Sequence, residues 1–110
     1  MIKAVFYTKN EEIFGFRVTG HAEYGQRGKD VVCAGVSALV INAVNSLEKL
    51  TEDSVIVEES DDGSVRCKIP GEPTKEGKLI LKSLQLGLVS VYESYGDPYI
   101  QIYFREVSHD

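Results

Sequence analysis

Positive charge is in short supply in this 110-residue chain. Twelve Lys and Arg face 17 Asp and Glu, for a net charge of −5. A whole-surface nucleic-acid binder would need the opposite balance. Cysteine and histidine are scarce as well, with two of each. A zinc site wants four ligands, often in short paired spacings. His21, Asp30, Cys33 and Cys67 show no such spacing, so no metal is expected and no cofactor either. The glycines match neither a phosphate loop nor a dinucleotide fingerprint. No uninterrupted apolar run reaches membrane-spanning length, because Ser37, Asn42 and Asn45 break the longest one. There is no basic, apolar, small-residue leader of secretory type. A cytoplasmic protein with no membrane partner is expected, and the cytosol would keep Cys33 and Cys67 reduced. Repeats and low-complexity linkers are absent.

What remains has the size of one domain, residues 1–110, long enough to bury a core without staples. Ile2 to Thr8 alternates apolar and polar residues, which marks a strand. After the polar Lys9 to Glu12, the run Ile13 to Thr19 alternates again, with Phe14, Phe16 and Val18 assigned to one face. The two make a hairpin. Gly15 inside the second run marks a bulge or a close backbone approach. Gly20 to Lys29 is an aperiodic loop, and Gly20, Gly25 and Gly28 give it conformational freedom.

Asp30 is a good N-cap for a helix that carries no charge from Val31 to Val44. Its stripe runs through Val32, Val36, Leu39, Val40, Ala43, Val44 and Leu47. Val31, Ala34, Ala38 and Ile41 widen it, so most of its circumference is expected to be buried, against the second helix or another subunit. Val55 to Val57 and Val65 to Ile69 form a second hairpin around the turn Ser60 to Gly63. Thr74 caps a second helix running to about Ser94, with Ile80, Leu84, Leu88 and Val91 on its inner face. Gly96 and Pro98 end it. Tyr99 to Phe104 is a last strand, and Glu106 to Asp110 a polar tail that frays. The order β-β-α-β-β-α-β implies an α+β two-layer sandwich, a mainly antiparallel sheet with two helices on one face.

The chemistry concentrates at the two ends of the loop. With Asp30 as N-cap, Cys33 falls in the first helical turn, where unpaired amides and the helix dipole favour thiolate over thiol. A helical cysteine is also often an inert core residue. His21, at the end of the strand that feeds the helix, weighs for the nucleophile, since it would accept the thiol proton and return it to a leaving amine. The backbone amides of Cys33 and Ala34 are candidate oxyanion donors. Asp30 either caps the helix or orients His21. Ser37, one turn beyond Cys33, bonds the site or a helix carbonyl. Cys67 alternates with Arg66 and Lys68 and reads as structural.

Gly20-His21-Ala22 followed by Gly28-x-Asp30-x-Val32-Cys33-Ala34-x-Val36-Ser37-Ala38-Leu39 resembles the ribosomal-processing cysteine protease Prp family, also known as YsxB-like. The likeness covers essentially the whole chain; Gly35, where alanine is common, is a minor variation. It implies a cytoplasmic homodimer that removes an N-terminal extension from a large-subunit ribosomal protein and so supports ribosome assembly. In that carry-over Cys33 is the nucleophile, His21 its acid/base partner, and Asp30 and Ser37 support the site. No direct contact with nucleic acid is implied. Two rival readings use the same residues: a non-catalytic assembly adaptor, and a thiol redox sensor working through Cys33 and Cys67.

Overall fold

The computed structural model describes residues 1–20 and 30–107. His21, Gly25 and Gly28, and with them most of the loop, lie outside the described residues. The elements run β1 (Ile2–Lys9), β2 (Glu12–Gly20), α1 (Val31–Leu50), β3 (Ile56–Glu59), β4 (Val65–Lys68), α2 (Lys75–Tyr95) and β5 (Ile100–Glu106). They form one five-stranded sheet of order β3-β4-β2-β1-β5. Three pairings are antiparallel; β1 and β5 run parallel. This is the α+β sandwich the element order implies, with a mixed sheet, because β5 returns from α2 as a crossover rather than a hairpin.

The alternation of β1 places Ile2, Ala4 and Phe6 in the core, all but inaccessible to solvent. In β2 the expected face is half right. Phe16 is buried, but Phe14 is not its partner there. The register shifts between Tyr7, opposite Gly15, and Thr8, opposite Ile13, so Phe14 is an extra residue. That bulge turns Ile13 into the core and Phe14 onto the other face, its ring 6.4 Å from that of Tyr7. Gly15 beside it also allows a close approach. A Cβ there would lie 2.7 Å from the Cys67 carbonyl oxygen and 2.8 Å from Lys68 Cβ.

The β1–β2 turn places Asn10 and Glu11 at φ of 53° and 68°, the two-residue geometry suited to strand twist. Glutamate pays strain in that region. Glu106 offsets it: its carboxylate accepts from the Thr8 hydroxyl at 3.1 Å and from the Asn10 amide at 2.9 Å. The Val107 amide donates to the Thr8 carbonyl at 2.8 Å. Glu106 is thus the last residue of β5, and Val107 is tied to β1, where the sequence implies the start of a frayed tail.

Helix α1 is buried along Val32, Val36, Val40, Ala43 and Leu47. Its burial is narrower than its composition implies: Val31 and Ile41 are 53% and 61% exposed, and Ala34 and Ala38 also face outward. By length and composition this 20-residue helix is apolar enough to cross a membrane, which its polar Ser37, Asn42 and Asn45 do not prevent. Here its inner stripe packs on the sheet and on α2, where Leu39 closes over Gly87.

Helix α2 is held at its start by a reach across 21 residues. Thr74 donates its amide to Asp53 Oδ1 at 2.8 Å and its hydroxyl to Asp53 Oδ2 at 2.6 Å; the same hydroxyl accepts from the Gly77 amide at 3.0 Å. At its end the Gly96 amide donates to the Tyr92 carbonyl. Burial works against the Asp53 carboxylate, but the hydrogen bonds from Thr74 outweigh it and hold this carboxyl below its ordinary range. The folded state therefore favours the ionised form. That stabilisation is complete above the unfolded carboxylate range near ~4 and fades as pH falls through the lower folded value. Asp53→Ala is expected to cost about 1–3 kcal/mol at neutral pH. Urea unfolding of both proteins at pH 7 and pH 3 checks this: the gap between them narrows in acid.

Candidate functional site

The β2 strand ends at Gly20, and α1 begins one residue after Asp30. Gly20 sits at φ +87°, and any side chain there would run into the Met1 carbonyl oxygen. The strand end is thus pinned against β1, where Gly20 lies opposite Ile2. At the other end Asp30 is the N-cap, as its type implies. Its Oδ1 accepts from the Val32 amide at 3.1 Å and the Cys33 amide at 3.0 Å. Cys33 is therefore at N3, in the first turn, with its side chain half-buried.

The two ends meet. Gly20, Cys33 and Ser37 line one cavity of about 290 Å³, with Ile2, Val18 and Val65 completing its apolar walls. So the residue that precedes His21 and the cysteine expected as nucleophile share a wall. His21 itself is outside the described residues. Ser37 is exposed on the cavity rim, one turn along the same helix face.

The two amides expected as oxyanion donors differ in status. The Ala34 amide closes the first intrahelical bond onto the Asp30 carbonyl at 3.1 Å, so it is spent inside the helix. The Cys33 amide points at a side chain instead, and the Asp30 carboxylate that holds it has Val32 as a second donor.

Cys67 lies fully buried in β4, against Phe16 across the ladder. Burial, and then the nearby Glu48 charge, push its thiol up to about 11. It stays a neutral thiol at physiological pH and acts as a core residue. Among the described residues no group of three or more His, Cys, Asp or Glu lies together.

Sequence reasoning missed Glu59 and Val65 as cavity residues. They come from β3 and β4, far along the chain, and only the sheet order brings them beside α1.

Known proteins match this arrangement along most of its length. The ribosomal processing cysteine protease Prp of Bacillus subtilis is 28% identical over 103 residues, 88% of this chain and 92% of that one. The protein of the same name in Staphylococcus aureus is 32% identical over 79 residues, 71% of this chain and 74% of its own. In three dimensions the chain is similar to the crystal structure of an essential ribosomal processing protease Prp from S. aureus in complex with a covalently linked product peptide. That TM-score is 0.89 at 27% identity, over 96% of this chain and 100% of the other. The S. aureus protease in complex with a substrate peptide gives a TM-score of 0.83 at 26% identity. The profile of the cysteine protease Prp family matches residues 1–101. On its sequence and its fold alike, the chain belongs to the cysteine protease Prp family.

Proposed function

We propose that this chain is a cysteine endopeptidase that removes the N-terminal extension of a large-subunit ribosomal protein and so supports ribosome assembly. It works in the cytoplasm, as a single domain spanning residues 1–110. Cys33 is the nucleophile and His21 the acid/base partner. The observation that carries this reading is the shared cavity: Gly20, the neighbour of His21, and Cys33 line the same space.

The reaction follows from those positions. The N-terminus of α1 favours Cys33 as thiolate. Its Sγ attacks the scissile carbonyl, and a tetrahedral oxyanion forms. The Cys33 amide is the donor nearest the attacking sulfur. A small shift of the Asp30 carboxylate frees it for the oxyanion without undoing the cap, because Asp30 keeps the Val32 amide. The carbon–nitrogen bond then breaks, and His21 gives its proton to the departing amine. A water molecule, deprotonated by His21, attacks the thioester, releasing a carboxylic acid and restoring the thiolate. Asp30 supports the site by setting the start of the helix, and Ser37 by lining the rim.

Two further features accompany this reading. The outward stripe of α1, with Val31, Ala34, Ala38 and Ile41, bears no charge and suits a homodimer contact. The net charge of −5 attracts a basic ribosomal substrate, a steering effect that salt weakens. The buried Cys67, with its raised thiol, speaks against redox sensing by a Cys33–Cys67 pair.

The test is a synthetic peptide carrying an extension and the first residues of the mature ribosomal protein, incubated with the chain and read by mass spectrometry. Two fragments from one bond are expected. Binding without fragments would establish the adaptor reading instead.

A further inference from the structure

The helices cover one face of the sheet, and the opposite face has a charge pattern of its own. Strand alternation turns Lys3, Arg17, Arg66 and Lys68 to that side, because Ile2, Phe16 and Cys67 beside them are buried in the core. Arg105 joins them, opposite Tyr7 in the β1–β5 ladder. These are five of the chain's 12 Lys and Arg, so the net charge of −5 averages two unlike sides. Among the described strand residues Glu58, opposite Arg66, is the acid that alternation places with them. The ion pairs of the described residues belong to Lys78, so none of the five is neutralised by one. Arg17 acts on Asp62 in the β3–β4 turn only weakly: the Ser64 amide, and to a lesser degree the Arg17 charge, hold that carboxyl below its ordinary range. Arg17 also stands directly opposite Arg66. Like charges so placed repel, and an anion between them would relieve the repulsion.

Aromatic rings lie among these cations. The Arg66 guanidinium sits 5.8 Å from the centroid of the Tyr7 ring, and the Phe14 ring is 6.4 Å from Tyr7 on its other neighbour strand. Gly15 separates Tyr7 from Lys68 in their row and puts no side chain between them. Tyr103, opposite Val5, is 47% exposed. We infer that this face binds single-stranded RNA, its phosphates held by the five cations and its bases stacked on Tyr7, Phe14 and Tyr103. Open sheets that take single strands use two or three aromatics in this way, and arginine adds to the stacking. An acidic peptide would satisfy the cations but leave the rings without a partner. A second copy of the chain would bring five cations against five. The choice of RNA over DNA rests on the ribosomal substrate of the reading above; the surface itself does not. Cys33 and α1 lie on the covered side of the sheet, so bound RNA leaves the cavity at Cys33 open.

The test is fluorescence anisotropy of a labelled RNA strand of about ten nucleotides with the full chain at low salt. Binding in the range of about 1–100 μM is expected, weaker for an RNA duplex of the same sequence. Arg17→Gln with Arg66→Gln should weaken it roughly ten-fold and flatten the salt slope by about 1.4, at ~0.7 per phosphate contact. Tyr103→Ala should weaken it roughly five- to a hundred-fold. All three positions are on the surface away from Cys33, so these chains should cut the synthetic peptide as the parent does. Absence of binding, affinity unchanged by the double substitution, tighter binding of the matching DNA strand, or displacement of the RNA by an aspartate-rich peptide of equal charge each overturns the inference. A double variant that changes the oligomeric mass in light scattering overturns it too, since the face would then belong to a subunit contact. RNA binding with the expected losses in a chain that never cuts the peptide would uphold this surface and overturn the protease reading alone.

Discussion

Cys33→Ala is expected to lower kcat/KM for peptide cleavage by about 10⁴- to 10⁶-fold while leaving the fold in place. The loss is large because a nucleophile has no substitute: without the thiolate no thioester forms, and what remains is slow attack by water in a bound complex. The fold should persist for a local reason. The hydrogen bond that Cys33 makes to Asp30 comes from its backbone amide, which alanine keeps. Alanine is also the better helix former. Thermal unfolding should therefore stay close to that of the parent. His21→Ala is the companion measurement. Loss of the imidazole should slow alkylation of Cys33 near neutral pH and move its pH profile upward, since a nearby imidazolium favours the thiolate. Cleavage undiminished in Cys33→Ala would sink the assignment of the nucleophile.

Phe6→Ala should carry the largest stability cost, about 3–5 kcal/mol. Phe6 is wholly buried at the centre of the sheet. Its ring lies 6.4 Å from that of Phe16 on β2 and stacks at 5.6 Å on that of Phe104 on β5. Deleting it empties the one position where β2, β1 and β5 share an aromatic contact, and the neighbouring backbones are fixed by their ladders. Urea unfolding should show a lower midpoint with an unchanged slope, and the melting temperature should fall by on the order of 20 °C. Phe104→Ala removes a ring that is 53% exposed, so its cost should be nearer 1 kcal/mol. Similar costs for the two would mean that the core is not centred on Phe6.

The features that were legible in the chain are local ones. Two-residue alternation places Ile2, Ala4 and Phe6 inward, and Asp30 and Thr74 mark the starts of the helices and Gly96 the end of α2, because each cap acts within a turn of its own position. Cys33 stood out through the same logic, since an N-cap three residues earlier defines the first turn. The misplaced features depend on partners far along the chain. Phe14 and Ile13 exchange faces because a bulge adds one residue, and alternation carries no sign of which residue is extra. Within the single chain α2 and the sheet cover only the inner stripe of α1 and leave Ile41 outward, and the helix's own composition does not say which part of its apolar surface they take. Glu106 reads as a tail residue from its polarity alone; the pairing of β5 with β1 is what brings the turn at Asn10 and Glu11 within its reach. The full lining of the cavity at Cys33 is hidden for the same reason: Glu59 and Val65 in its wall belong to β3 and β4.

The contact between Thr8 and Glu106 joins positions 98 apart, and it has a bearing on timing. Translation at about 5–20 residues per second leaves β1 waiting roughly 5–20 s for β5 to be made. Until then the nascent sheet has a bare margin beside Phe6, and the positive-φ turn lacks its clasp. Pairings of such range are slow to form. Over that interval β1 is an unpaired edge, and Phe6 is without the ring of Phe104 that stacks on it in the folded chain.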